Sequence, residues 1–327
     1  MSRFRRREFL VGASAALIVP WNMRNADGAE SVRVGVLETG IGANPVWLPQ
    51  LVPALRELGW VQGRNLTLES RFAEGRRAEL PKLTSELIQL GVQVIVGDHY
   101  AIKGAQAVTR TMPLVVTNAL TPVQAGFAKS LARPGGNITG VQWGDPTFSA
   151  KSMQILKETL PEIKRVGALY ASQAPEEAPY RDAAKAAANA LGLSFHAFLV
   201  GNQEDLEAAL ATAKDLKIDA FRIGGSGYLA LAEARIISFS VANKIPTSYT
   251  GSGAVKRGAF MSYSPDLAEM VSRVAALVDK ILKGAKPADL PFEYSTRYEL
   301  VINLKAAKQL GITVPQAVLL RADRVIE

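Results

Sequence analysis

Cysteine is absent from this 327-residue chain. Its absence excludes disulfides, thiol nucleophiles and cysteine-ligated metals, and removes the residue that a lipid anchor would need. Histidine is nearly absent too, with only His99 and His196. There is no HExxH helix for metal-assisted hydrolysis, no Walker A loop, and no GxSxG elbow, since "GGSGYL" at 224–229 fails that pattern. "GVLETGIGANP" has a GxG fragment at Gly40 and Gly42, but Pro45 stands where a dinucleotide loop needs its third glycine. No cofactor is therefore expected. Basic residues give a net charge of +8, but Arg3, Arg5, Arg6, Arg7 and Arg24 against Glu8 and Asp27 place part of it in residues 1–28. The remainder is scattered among acids, which argues for a solvated surface and against a nucleic-acid partner.

One apolar run is long enough to discuss, and it is short. Phe9 to Trp21 follows three arginines and precedes a polar stretch in which Ala26 and Gly28 offer a small-x-small cleavage pattern. Charged, apolar and small-residue regions in that order predict an export signal over 1–28. Arg6-Arg7 followed by Phe9-Leu10 is similar to a twin-arginine motif. The expectation is a soluble, monomeric, periplasmic protein without stable membrane insertion.

Beyond residue 28, β-branched apolar runs alternate with helical periodicity. "VRVGVL" (32–37), "NLTLESRFA" (65–73), "VQVIVGD" (92–98), "PLVVTNA" (113–119) and "ITGVQW" (138–143) predict strands. Helices are predicted between them, including one opening at Pro122 with Thr121 as N-cap and Gln124 completing a capping box. The rhythm restarts with "RVGALYA" (165–171), "SFHAFLV" (194–200), "DAFRIGG" (219–225), "IPTSYT" (245–250) and "GAFMSYS" (258–264), with Asn202 capping an intervening helix. A long helix is predicted after Ser264 as N-cap and Pro265 at its first position, stopped by Gly284. A strand and a helix follow in "YELVINLKAAKQLGI". The fold class is α/β: two doubly wound parallel-sheet lobes, lobe 1 over 29–144 plus 264–293 and lobe 2 over 145–263 plus 294–327, joined by three hinge strands.

In open parallel sheets, ligands bind beyond the carboxyl ends of the strands. Those tips here are rich in small polar and aromatic residues. The candidate ligand-binding set is Thr39, Asn44, Asp98, His99, Tyr100, Asn118 and Thr121 from the first series, and Ser172, Ser226, Tyr228, Tyr249 and Tyr263 from the second. The tyrosines offer stacking faces for a flat ligand, and Trp143 lies near the predicted hinge. Helix N-termini after Tyr100 and at Thr121 offer free N–H groups for a carboxylate. No catalytic or metal-binding residue is assigned. His196 alternates with apolar residues in a strand, as packing residues do. His99 beside Asp98 leaves a hydrolase-like enzyme as an alternative.

Four phrases carry a resemblance: "ELGWVQGRNLTLESRFAEG", "SLARPGGNITGVQ", "ILKGAKPADLPFEYSTRYELVINLKAAKQLGITVP" and the closing "LLRADRVIE". They resemble the ABC transporter substrate-binding protein family that includes tryptophan- and tyrosine-binding members, across essentially the whole chain after the signal. The resemblance implies a type I periplasmic-binding-protein fold and hinge closure on a small organic solute, an amino acid or an aromatic acid. It also implies delivery to an inner-membrane ABC permease, or, alternatively, service as the sensing subunit of a receptor. Thr121 stands where such relatives commonly carry Asp.

Overall fold

The computed structural model describes residues 31–40, 46–172, 175–224 and 228–327; the predicted export signal, Asn44 and Ser226 lie outside them. Two sheets organise the chain. Sheet 1 contains β1 (Val32–Glu38), β2 (Leu66–Phe72), β3 (Val94–Gly97), β4 (Leu114–Ala119), β5 (Ile138–Gln142) and β11 (Glu293–Tyr294), in the order β11-β5-β4-β3-β1-β2. Sheet 2 contains β6 (Arg165–Ala171), β7 (Ser194–Val200), β8 (Ala220–Ile223), β9 (Thr247–Tyr249), β10 (Met261–Pro265), β12 (Tyr298–Asn303) and β13 (Arg324–Ile326), in the order β13-β12-β10-β9-β8-β6-β7. Pairing is parallel except between β10 and β12. Those two strands share a sheet but are separated by an excursion to sheet 1, so β12 re-enters from the opposite direction.

Burial explains why each sheet is covered on both faces. Along β1, Val32, Val34 and Val36 pack towards α1 (Leu48–Glu57) and α10 (Leu267–Leu282), while Leu37 packs with α2 (Leu80–Gln89) and α3 (His99–Val108). The period-2 alternation thus feeds two cores, as fully covered parallel strands require. In sheet 2, one core gathers α4 (Thr147–Thr159), α5 (Ala178–Ala190) and α11 (Leu304–Leu310). The other gathers α6 (Gln203–Asp215), α7 (Tyr228–Leu231), α8 (Glu233–Asn243) and α9 (Ser252–Lys256). Asn202 caps α6 as predicted, its side chain accepting from the Asp205 N–H.

Three segments cross between the sheets: 143–146, Asp266 and 295–297. Tyr180 donates to the Gly144 carbonyl at 2.8 Å on the first. Glu269 ties the other two together, accepting from Ser295 Oγ (2.7 Å), Thr296 Oγ1 (2.7 Å) and Arg297 N (2.8 Å), and pairing with Arg273. Burial opposes ionisation of Glu269, but the bonds from Arg273, Thr296, Ser295 and Arg297 outweigh it and hold the carboxyl well below the usual carboxylate range.

Two local expectations fail. Ser264 and Pro265 remain in β10, where Pro265 pairs with Tyr298, and the cap of α10 is Asp266, whose carboxylate accepts from Ala268 N and Glu269 N. The pairing with β12 outlasts the local Ser-Pro start signal. The helix predicted from Pro122 is one turn: Ala125 N bonds Thr121 O and Phe127 N bonds Pro122 O, and Gly126 at φ +76° ends it. Thr121 itself has φ +39°, whereas an N-cap needs the extended region.

Candidate functional site

The carboxyl ends of both sheets border a cavity of about 800 Å³, lined from sheet 1 by residues including Glu38, Thr39, Trp47, Asp98, His99, Tyr100 and Asn118, and from sheet 2 by Tyr170, Ser172, Arg222, Tyr228 and Tyr249 among others. Trp143 and Phe148, beside the first crossing, complete the aromatic lining. Eight of the predicted residues therefore converge on one space: Thr39, Asp98, His99, Tyr100, Asn118, Ser172, Tyr228 and Tyr249. Two others do not border it. Thr121 is buried in its turn with Oγ1 lacking a partner. Tyr263 is taken up in packing, its ring stacked 5.6 Å from Tyr298 and 6.2 Å from Phe148.

The sheet 1 wall is organised around Asp98. β3 ends at Gly97, where a Cβ would stand 2.3 Å from the Leu37 carbonyl oxygen, so the backbone passes too close for any other residue. The next residue caps α3: Asp98 accepts from Tyr100 N (2.8 Å), Ala101 N (2.9 Å), Thr39 N (2.7 Å) and Thr39 Oγ1 (2.9 Å). Asn118 Oδ1 takes the His99 N–H at 2.9 Å. The N–H groups of this helix start, expected to be free for an anion, are thus already satisfied by Asp98 and Asn118.

His99 is 2 % exposed. Its Nδ1 accepts from the Leu120 N–H at 3.1 Å, which places the ring proton on Nε2, and Nε2 is buried with no partner. Burial, joined by Lys103 and Arg77 and opposed by Glu176, pushes the imidazole down to about 4, so the ring is neutral. Asp98 does not bond the imidazole, and the Asp–His pairing that a hydrolase would need is not formed. Glu38 is buried beside it and accepts from Trp47 Nε1 at 2.7 Å. Burial, reinforced by the Asp98 charge, raises its carboxyl well above the usual range. The Arg77 guanidinium lies 3.6 Å above the centre of the Tyr100 ring, a cation–π contact.

The sheet 2 wall differs. The Tyr249 ring is buried and its hydroxyl has no partner; burial, with Glu233 adding, raises the phenol. Arg222, on β8, is 2 % exposed. It donates to Tyr170 Oη at 3.2 Å and Ser149 Oγ at 3.0 Å, while its Nε is buried without a partner. Sequence reasoning passed over this residue inside the strand "DAFRIGG". The available signal was an arginine between Phe221 and Ile223 in a strand that must be covered on both faces. Across the cleft, Lys103 of α3 forms an ion pair with Glu176, on the turn before α5. Among the described residues there is no grouping of three or more His, Asp or Glu side chains fit to hold a metal.

Two α/β sheets facing one another across an aromatic-lined cleft match a known family. The model of the ABC transporter substrate binding protein family covers residues 50–326. This chain belongs to that family. The fold is that of periplasmic binding proteins. Among solved structures, an ABC domain from Streptococcus pneumonia in complex with L-Trp superposes with a TM-score of 0.82 at 26 % identity, covering 91 % of this chain and 100 % of that one. A conserved domain protein from Vibrio cholerae superposes with a TM-score of 0.83 at 27 % identity, covering 90 % of this chain and all of the other. A tyrosine-binding protein of Clostridioides difficile (strain R20291) is 24 % identical over 276 residues, 80 % of this chain and 75 % of that protein. As a substrate-binding protein of an ABC transporter, the chain acts by holding a solute, which requires no covalent step. No helix among the described residues is long and apolar enough to cross a membrane.

Proposed function

We propose that the chain captures a small aromatic amino acid or aromatic acid outside the cytoplasm and presents it to an inner-membrane ABC permease. The observation that carries this reading is the pair of aromatic walls: Trp47 and Tyr100 from sheet 1 and Tyr170, Tyr228 and Tyr249 from sheet 2 border one cavity of about 800 Å³. A drug-sized or smaller ligand fits pockets of that size, and aromatic faces on both sides suit a flat apolar group. The L-Trp bound in the Streptococcus pneumonia structure and the tyrosine for which the Clostridioides difficile protein is named have that chemistry. A solute touching both walls favours the closed arrangement, because only there are both sets of contacts made. The three crossing segments are the elements about which the lobes would rotate, lobe 1 being built on sheet 1 and lobe 2 on sheet 2.

The test is calorimetry and thermal shift with a panel of aromatic amino acids, aromatic acids and aliphatic amino acids. A true ligand at about 100 times its Kd stabilises the protein by roughly 2.7 kcal/mol, and small-angle scattering should show the particle shrink on binding. A panel in which only aliphatic members bind would overturn the aromatic reading. Export is tested by fractionation: the shortened protein is expected in the periplasm, and Arg6→Lys/Arg7→Lys is expected to block a twin-arginine route.

A further inference from the structure

We infer that Arg222 anchors a carboxylate of the bound solute, so that the solute is held by its acid group against sheet 2. The inference rests on the cleft being the solute site and adds to it the chemical group that is recognised and the residue that recognises it.

The argument starts from the cost of burial. A guanidinium is always charged, and removing it from water without a counter-charge is strongly unfavourable. Arg222 is nonetheless the largest fully buried side chain among the described residues. Its two hydrogen-bond partners, Tyr170 and Ser149, are neutral hydroxyls. Among the described residues Arg222 forms no ion pair, and the buried Glu177 borders the same cavity. The guanidinium has five N–H donors in a planar fork. Two are used, and the Nε–H is buried with no acceptor.

Its setting is built to hold the fork in place. Arg222 is in register with Ala168 on β6 and Ser248 on β9, two small residues that leave space above the sheet for a long side chain. Tyr170, two positions beyond Ala168, and Ser149 on α4 fix the two terminal nitrogens. The residue so held borders the cavity. A planar carboxylate accepts two parallel N–H bonds from such a fork and supplies the missing negative charge. On the opposite wall the helix start is already occupied by Asp98 and Asn118, and the one guanidinium described there, Arg77, is stacked on the Tyr100 ring beside the carboxylates of Asp98 and Glu38.

The experiment uses the full chain, with aromatic carboxylates and their primary amides as probes: tryptophan and tyrosine with their amides, and indole-3-acetate with its amide. The wild-type protein is expected to bind the acid on the order of 100-fold more tightly than the amide. Arg222→Met is expected to erase that difference by weakening the acid alone, and Arg222→Lys to restore part of it, since a point charge lacks the fork. Equal affinity for acid and amide, or an unchanged acid affinity in Arg222→Met, overturns the inference. Melting of the ligand-free proteins decides independently of the probe. If the arginine waits for a ligand, Arg222→Met melts at the same temperature or higher, because a buried charge without a counter-ion has been replaced by an apolar chain of similar length. If it melts several degrees lower, Arg222 is a structural strut and the inference fails. A panel in which no probe binds would overturn the aromatic reading of the solute, while this melting result still decides the role of Arg222.

Discussion

The two walls of the cleft face one another with opposite characters. On sheet 1, nearly every polar group is engaged by the chain itself: Asp98 accepts four hydrogen bonds, Asn118 takes the His99 N–H, and Trp47 donates to Glu38. On sheet 2, Arg222 Nε and the Tyr249 hydroxyl are buried without partners. A buried polar group without a partner costs free energy, so a wall that keeps such groups is poised for a partner from outside. A wall that satisfies itself is rigid and supplies shape. On the function proposed above, the contrast gives positioning to sheet 1 and polar recognition largely to sheet 2, although His99 Nε2 on the first wall is also buried without a partner.

The largest expected effect tests the self-satisfied wall. Asp98→Ala removes the cap of α3 and both ties to Thr39, and should cost about 2–4 kcal/mol of stability by denaturant unfolding. A loss below about 0.5 kcal/mol would mean that the wall is not held by this carboxylate.

Glu38 gives the next effect, read as a pH dependence. Its folded-state pKa is raised, by burial first and then by Asp98. The stability this group contributes is therefore fully present below about 4.5, its unperturbed value, and is lost as pH rises through the folded value. Glu38→Gln cannot ionise. Compared with wild type, it should gain stability on going from pH 4 to pH 8 in thermal melts of ligand-free protein. A gap between the two proteins that stays constant over that range would show that folding does not raise the Glu38 pKa.

Tyr249→Phe sharpens the other side of the comparison. It deletes one hydroxyl that has no partner in the ligand-free chain. Stability should be unchanged or rise by up to about 1 kcal/mol, while affinity for the solute falls on the order of 10-fold. Loss of stability with affinity intact would place that hydroxyl in packing.

The smallest effect belongs to the contact that joins the walls. Lys103→Met breaks the ion pair with Glu176, whose lysine end is half exposed. Affinity should weaken by about 2- to 5-fold, and less at 1 M salt, because partly exposed pairs are screened. A variant that binds as wild type would show that the pair has no part in holding the closed form.

Much of this architecture was legible in one dimension. "RVGALYA" and "SFHAFLV" form strands over the predicted residues, Arg165–Ala171 and Ser194–Val200, and Asn202 caps its helix. Those signals are local: alternation, helical periodicity and a side chain reaching three residues ahead. Placing polar and aromatic residues at strand tips brought eight candidates to one cavity, because parallel β/α units put every such tip on the same edge.

What the sequence by itself determined, then, was the set of elements and the edge on which the cavity lies. Only the tertiary structure decided which groups on that edge remain unsatisfied. Asp98 and Thr39 are 59 positions apart, so that capture of the α3 cap cannot be read from either neighbourhood. Ser264 carries a local start signal for α10, but β12, arriving from a distant part of the chain, holds Ser264 and Pro265 in a strand. Arg222 reads as an ordinary charged residue in a short apolar run until Tyr170, Ser149 and the facing sheet enclose it. Periodicity reports which way a side chain points. Burial and hydrogen-bond satisfaction depend on what arrives from elsewhere in the chain, and the recognition chemistry of this cleft is set by those two quantities.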